Sequence, residues 1–392
     1  MNIRQQFLKA LAPTSFEPMA LHICRAEGAQ LYDAEGKSYT DLIGGISVCN
    51  VGHTNPEVID AIHRQASQYM HIMVFGEVVQ SPQVLYASLL TEQLDSSLNS
   101  VYFTNSGAEA VEGAMKLAKR VTGRTRFIAC RHSYHGSTQG ALSLLGDEYF
   151  RNAYRPLLPD IHHIDYNSFE DIENISERTA AIILEPVQAE AGVIVPDINW
   201  MKAVRKRCDE TGTFLVFDEI QTGFGRTGSV FAYQEIGVVP DILLLGKALG
   251  GGMPLGAFVA SKDKMDHLAV NPVLGHITTF GGHPVSCAAG LAAFKYLRSS
   301  IPLKEISRKG ALFATLLRHP RILRVHQKGL MLSVQLESFE KVKEVISKCL
   351  NSPEAVFTDW FLFAPDCLRI VPPLTISDAE IRSACATILS NL

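Results

Sequence analysis

The 392-residue sequence has no long run of like charge, no closely paired cysteines and no long apolar stretch. Lys and Arg total 36 against 40 Asp and Glu, for a formal charge of -4. That balance argues against nucleic acid as a partner, because a phosphate backbone calls for clustered cations. The densest basic run, Arg205-Lys206-Arg207, reads as a solvated helix face. The eight cysteines (Cys24, Cys49, Cys130, Cys208, Cys287, Cys349, Cys367 and Cys385) are scattered without a C-x-x-C pair. No dense disulfide framework is therefore expected, and a reducing cytoplasm fits. No apolar run approaches the roughly 18 to 20 residues that span a bilayer. Met1 to Ala20 contains Arg4, Lys9 and Glu17 and no continuous apolar core, so neither a membrane segment nor a secretory leader is expected. No G-x-G-x-x-G follows the first strand, and Gly246-Lys247-Ala248 lacks the upstream glycine spacing of a P-loop. His132, His135, His162 and His163 have no matching set of metal ligands. Internal repeats, low-complexity tracts and Pro/Gly/Ser-rich linkers are also missing.

What remains is an ordinary globular composition. Hydrophobic residues make up 47% and charged residues 19%, enough apolar surface to offset the entropy of ordering. From about Val101 to Ala260, short β-rich runs alternate with helical patterns, the signature of an α/β fold with a mostly parallel sheet flanked by helices. The strands expected are Val101-Phe103, Phe127-Cys130, Ala181-Leu184, Phe214-Phe217, Ile242-Leu245 and Ala257-Ala260. They are almost wholly apolar, as suits strands buried on both faces. Ala108-Val121 and Trp200-Thr211 read as helices between them. The tail changes character, with strands at Gly329-Leu336 and Cys367-Val371 and helices at Phe339-Leu350 and Asp378-Leu389. Hairpin-like pieces around Gly28, Asp33 and Gly36 suggest that the first residues join this tail. The expected division is 1–45 as the N-terminal segment of a small α+β domain, 46–290 as the large domain and 291–392 as the C-terminal part of the small one.

In open α/β sheets ligands collect where strands end and helices begin, because loops converge there and helix N-termini offer free N–H groups. Four stretches fall at such places. Thr104-Asn105-Ser106-Gly107-Ala108-Glu109 combines a capping-box spacing from Ser106 to Glu109 with a glycine that lets an anion approach the backbone. It suits a phosphate and equally an ordinary capped helix. Asp218, closing the apolar run Val216-Phe217, is a buried anion in want of a cation. A protonated pyridine nitrogen would serve, as would Arg226 or a helix N-terminus. Lys247 follows a fully apolar strand and precedes Gly250-Gly251-Gly252. Desolvation there favours the neutral, nucleophilic amine, although a lysine at a strand end is more often a snorkelling surface residue. His276 to Pro284 is a polar, Gly-rich loop that could add a hydroxyl to a phosphate or be only a turn.

Taken together, Asn105-Ser106-Gly107-Ala108-Glu109-Ala110, Asp218-Glu219-Ile220-Gln221-Thr222-Gly223 and Lys247-Ala248-Leu249-Gly250-Gly251-Gly252 resemble the class III (ω-type) aminotransferases of fold type I. The likeness runs from Gly44-Gly45-Ile46-Ser47-Val48 and Gly52-His53 to Arg369-Ile370-Val371-Pro372-Pro373-Leu374. It implies pyridoxal 5'-phosphate as cofactor, with 46–290 as the domain that binds it. Lys247 would form the Schiff base and carry the proton. Asp218 would hold the pyridine N–H and Gln221 the phenolic oxygen. Ser106, Gly107 and Ala108 would take the phosphate, with Thr279 reaching it from the second subunit of a homodimer that shares its active sites. Tyr134 would stack on the ring, beside His135. Glu190 would pair with Arg369, the residue that takes a substrate α-carboxylate, and Ile46 would touch substrate.

Within the class the closest likeness is to acetylornithine and ornithine aminotransferases. It implies an amino donor, acetylornithine-like or another ω-amine, and 2-oxoglutarate/glutamate as the small-molecule partners. One departure concerns the donor: Ser137 follows His135-Gly136 where those enzymes carry an arginine. The alternative is another reaction on the same cofactor and fold, by an aminomutase, a decarboxylase or a racemase.

Overall fold

The computed structural model describes residues 2–392. After a short helix, Ile3–Ala10, the chain forms an antiparallel meander of β1 (Ile23–Glu27), β2 (Gln30–Asp33) and β3 (Ser38–Asp41). Asp33 Oδ1 closes the second turn by accepting the Glu35 and Lys37 N–H groups at 3.1 and 2.8 Å, the local bonding that makes Asp a turn residue.

The central sheet contains β4 (Ser100–Thr104), β5 (Arg126–Cys130), β6 (Ile161–Ile164), β7 (Thr179–Leu184), β8 (Phe214–Asp218), β9 (Ile242–Leu245) and β10 (Gly256–Ala260). Their order is β4-β10-β9-β8-β7-β5-β6. All neighbouring pairs are parallel except those made by β10, which is antiparallel to both β4 and β9. Residues of β7, β9 and β10 are buried throughout. The side-chain period of two divides them between two cores. Phe127, Ala129, Ile183, Val216, Leu244 and Phe258 pack with the helix Gly107–Thr122 on one face. Ile128, Ile182, Leu215, Phe217, Leu243 and Val259 pack with Trp200, Met201 and Val204 of the helix Ile198–Thr211 on the other. Both helices have a side-chain N-cap, Ser106 and Asp197, and both end on a left-handed glycine, Gly123 (φ 69°) and Gly212 (φ 63°), where only glycine adopts the turn without strain.

The tail contributes β11 (Arg324–Lys328), β12 (Met331–Gln335), β13 (Ala355–Phe357), β14 (Asp359–Phe361) and β15 (Ala364–Ile370). Four of them form the antiparallel sheet β11-β12-β15-β14, while β13 pairs in parallel with β3 and so ties the two ends of the chain into one sheet. The expected boundary at 290/291 falls inside the helix Pro284–Ser300.

Three expectations need correction. β6, β11, β13 and β14 were not foreseen: Ile-His-His-Ile and Arg-Val-His-Gln-Lys are polar edge strands without an apolar run, and β13 and β14 are edge strands of three residues each. The basic run is not a freely solvated face. Arg205 bonds Asp241 at 2.8 Å and Asp209 at 2.7 Å, and Arg207 bonds Glu173 at 3.1 Å, which leaves only Lys206 largely exposed. The capping box is half made. Ser106 Oγ accepts the Glu109 N–H at 3.2 Å, but the Glu109 carboxylate accepts the N–H of Asn105, at 2.7 Å, instead of that of Ser106.

Candidate functional site

Because β4 runs antiparallel to β10 and β10 antiparallel to β9, β4, β5, β7, β8 and β9 all deliver their carboxyl ends to one edge of the sheet. Asn105 to Gly107 follow β4, the loop with Tyr134 and His135 follows β5, Glu185 follows β7, Asp218 ends β8, and Lys247 stands one residue beyond Gly246 after β9. Gly107, Ala108, Tyr134, His135, Ser137, Glu185, Asp218, Gln221 and Lys247 line a common cavity of about 250 Å³. Residues more than a hundred positions apart thus meet at the place the topology favours for a ligand.

Lys247 has φ +48°, a left-handed conformation costly for a side chain of its size and the kind of strain that gathers at functional sites. Its Nζ donates to Gln221 Oε1 at 2.9 Å. Burial lowers the pKa of its ammonium, with the Arg369 charge acting in the same direction and Glu190 and Asp218 opposing it. Asp218, 4% exposed, accepts the Ile220 N–H at Oδ1 (3.0 Å), while Oδ2 lies 2.7 Å from His135 Nδ1. Burial by itself would lower the His135 pKa, but the Asp218 carboxylate and the charge of Glu185 raise it overall.

The buried His135 Nε2 and Gln221 Nε2 have no hydrogen-bond partner, and such orphans in a cavity point to a missing polar ligand. The N–H groups of Gly107 and Ala108, in the first turn of their helix, likewise have no acceptor among the described residues. Close packing frames that turn: a Cβ on Gly136 would come within 2.6 Å of Ala108 Cβ, and one on Gly256 within 2.1 Å of the Ser106 carbonyl oxygen. An acid at one wall, a desolvated amine at another and a bare helix N-terminus fit a ligand with a basic ring nitrogen, a carbonyl and an anionic group.

Beyond the cavity, Arg369 and Glu190 form a buried bidentate pair, with Nη1 to Oε1 at 2.6 Å and Nη2 to Oε2 at 2.9 Å. Burial opposes the charged forms of both residues, yet their attraction holds the Glu190 carboxyl below and the Arg369 guanidinium above its ordinary pKa.

Not every expected residue meets the cavity. Ser106 is exposed, its Oγ engaged with the Glu109 N–H. Thr279 is exposed on its loop and Ile46 lies outside the lining. Ile46 sits in the segment Gly44–Ser47, whose φ angles are 54°, 62°, 59° and 63°. Two carboxylates escaped the sequence reading. Glu185 accepts the Tyr134 N–H at 3.2 Å and the Ala189 N–H at 2.9 Å, joining the loop that carries Tyr134 to the one that carries Glu190. Burial pushes its carboxyl up to about 7. Its signal was present, since it follows an all-apolar strand just as Asp218 ends one. The other is Asp359, 2.9 Å from Arg369 Nε.

A family model described as aminotransferase class-III matches residues 11–392. The chain belongs to that family. This class III aminotransferase is 39% identical over 376 residues to the acetylornithine aminotransferase of Methanosarcina acetivorans, covering 92% of this chain and 89% of the relative. Among solved structures it is similar to the ornithine aminotransferase of Toxoplasma gondii, crystallized in the presence of oxidized glutathione with pyridoxal phosphate at partial occupancy in the active site. That match has a TM-score of 0.91 and 29% identity and covers 99% of this chain and 93% of the other. A thermostable (S)-enantioselective ω-transaminase from Thermomicrobium roseum matches with a TM-score of 0.90 and 30% identity, covering 98% and 97%. The class III aminotransferase is therefore a pyridoxal-phosphate-dependent enzyme of fold type I that moves an amino group between a donor and a 2-oxo acid. Among the described residues no helix is long and apolar enough to cross a membrane.

Proposed function

We propose that the chain transfers an amino group from an ω-amine or acetylornithine-like donor to 2-oxoglutarate, giving glutamate, with Lys247 and Asp218 as its catalytic residues. The observation that carries the acceptor half is the buried Glu190–Arg369 pair. A bidentate guanidinium is the side chain best matched to a carboxylate, and a partner glutamate keeps it satisfied while a substrate without that carboxylate occupies the site.

When bound, pyridoxal phosphate supplies an aldehyde that condenses with amines and a protonated ring that accepts the electron pair left when the substrate carbon loses its proton. Asp218 holds the ring-nitrogen proton, and its orientation is fixed by His135 at Oδ2 and Ile220 at Oδ1. Lys247, whose ammonium burial makes easier to deprotonate, takes the proton from the substrate carbon at Nζ and returns it. Gln221, which accepts from Lys247 through Oε1 and has a free Nε2, donates to the phenolic oxygen. Ser106, Gly107 and Ala108 receive the phosphate at the helix N-terminus. Tyr134 and His135 enclose the ring, and Ile46 meets the substrate.

The working form is a homodimer with shared sites, in which Thr279 of one subunit reaches the phosphate of the other. Apolar side chains left exposed around residues 270–280, among them Val273 (74%), Leu274 (47%) and Phe280 (55%), support this reading, as does the adjoining cleft of about 510 Å³. The division at 45/46 and 290/291 follows the same reading, with the helix Pro284–Ser300 as the connector. Eight free cysteines, six of them buried, suit a reducing cytoplasm.

Screening amines against 2-oxoglutarate, with glutamate as the readout, tests the proposal. Acetylornithine, ornithine and carboxylate-free ω-amines form the panel, and at least one should yield glutamate. Turnover with other 2-oxo acids but never with 2-oxoglutarate would overturn the acceptor.

A further inference from the structure

Arg369 is shared between two carboxylates. While Nη1 and Nη2 face Glu190, Nε lies 2.9 Å from Asp359 Oδ1, across the strand register that sets Asp359 opposite Arg369. The same hairpin completes the enclosure. The Trp360 carbonyl oxygen accepts from Nη2 at 2.7 Å, the Phe361 ring lies 4.7 Å from the guanidinium carbon, and the Leu362 N–H donates to Glu190 Oε2 at 3.0 Å. When Glu190 withdraws, Asp359, Trp360 and Phe361 still hold the arginine in place.

Charge gives Asp359 its consequence. With both acids ionised, the subsite sets one cation against two anions, in a setting where the Arg369 side chain is 4% and the Asp359 side chain 21% exposed. Little solvent screens charges at such depth. Once Glu190 has withdrawn, an incoming carboxylate therefore meets an arginine whose charge Asp359 already offsets, whereas a substrate with no carboxylate there leaves Glu190, Arg369 and Asp359 mutually paired. Ser137, exposed where it lines the cavity, brings no cation to a donor.

We propose that Asp359 is a specificity-determining residue that weakens the grip of Arg369 on substrate carboxylates and so biases the enzyme toward amino donors that bring no carboxylate to this subsite, such as plain primary amines and diamines. The inference rests on the reading of Arg369 as the cation that takes a substrate carboxylate.

The test compares single-turnover reactions of the holoenzyme with L-glutamate and with 1-aminopentane, 1,4-diaminobutane and 1,5-diaminopentane. Asp359→Asn removes the charge but keeps an oxygen for Nε. It should lower the KM for glutamate roughly three- to tenfold, as expected for one partly exposed charge, with kcat within about twofold. The KM for the reactive amines should rise or stay level. Asp359→Ser must shift the glutamate-to-amine preference in the same direction. A preference unmoved in both variants, equal losses on both substrate classes, or a wild type that uses glutamate but none of the three amines would overturn the inference. Arg369→Ala separates the two readings. If it weakens glutamate while Asp359→Asn leaves the preference unmoved, the inference alone fails. If it leaves glutamate unaffected, the assignment of Arg369 fails and takes the inference with it.

Discussion

Asp218 Oδ2 lies 2.7 Å from His135 Nδ1, and both side chains are almost wholly buried. The histidine ring fixes one carboxylate oxygen and leaves lone pairs on both oxygens for a further donor. Asp218→Asn should lower kcat/KM by about a hundredfold or more, because an amide cannot hold a ring nitrogen in its protonated form, and removal of a preorganised electrostatic contact costs on that order. His135→Ala, which removes the orienting contact and part of the wall around the ring but leaves the Asp218 charge, should cost about tenfold. An Asp218→Asn variant within about threefold of wild type would assign Asp218 to structure.

For Lys247 the prediction is spectroscopic as well as kinetic. The wild-type protein should be yellow and lose that colour when an amino donor is added. Lys247→Ala should abolish multiple turnover while its melting temperature stays near that of wild type, since the native φ of +48° gives the larger residue no conformational advantage that alanine would forfeit. Full multiple-turnover activity in Lys247→Ala would end the assignment.

A second His–Asp pair predicts a pH dependence. His53 Nε2 is 2.7 Å from Asp41 Oδ2, while Asp41 Oδ1 accepts the Ile43 and Gly44 N–H groups and so anchors the left-handed segment that carries Ile46. Burial would lower the His53 pKa, but Asp41 and Cys49 together outweigh it and push the value up to about 10. A raised folded-state pKa stabilises fully below the unfolded value, about 6.5, and that contribution fades as pH rises toward 10. In denaturant titrations His53→Gln should be less stable than wild type by roughly 1.5 to 3 kcal/mol at pH 6, the range for a hydrogen bond to a charged group, with the difference shrinking as pH approaches 10. An equal gap at both ends would mean that the pair is not ionic.

How much of this could be read from the chain depends on what the physics leaves in one dimension. Strands buried on both faces must be apolar, so β5, β7, β8, β9 and β10 stood out as runs; β6 and β11, at sheet edges, are free to carry histidine, lysine and arginine and left no such mark. Chemistry at strand ends was visible for the same reason, because a lone Asp or Lys contrasts with the apolar residues before it. Contacts between elements were not visible. Nothing in the sequence sets His135 against Asp218 or Asp359 against Arg369, since those meetings arise from sheet order and from the β14–β15 register.

Ser137 lies exposed at the cavity rim, 3.0 Å from Tyr134 Oη, where a longer side chain has open solvent to extend into. Ser137→Arg should restore a cation for a carboxylate at the far end of the donor. The KM for acetylornithine should fall about tenfold, the worth of one well-placed charged hydrogen bond, and donors without that carboxylate should gain nothing. An equal change for both donor types would rule out a role for position 137 in reading the donor's far end.

The pair Glu190–Arg369 addresses a problem common to any enzyme whose single pocket alternates between two substrates. A guanidinium that takes the α-carboxylate of 2-oxoglutarate must be satisfied by some other group when the second substrate brings none, because an unpaired buried cation is costly. In this structure Glu190 fills that position through both oxygens, and the Leu362 N–H steadies the glutamate in turn. Arg369→Ala should therefore weaken the glutamate half-reaction by about 2 to 5 kcal/mol, the usual loss when one partner of a buried charge pair is truncated. The donor half-reaction, which leaves the pair closed, should suffer less. Glu190→Gln acts in the opposite sense: it frees the arginine, so reaction with glutamate is preserved or faster while the ω-amine slows. Single-turnover rates measured separately for the two halves distinguish these outcomes. Equal losses in both halves for Arg369→Ala would make the arginine a structural cation, held by Asp359 and Glu190 for the sake of the hairpin, and would remove the basis for a switching pair.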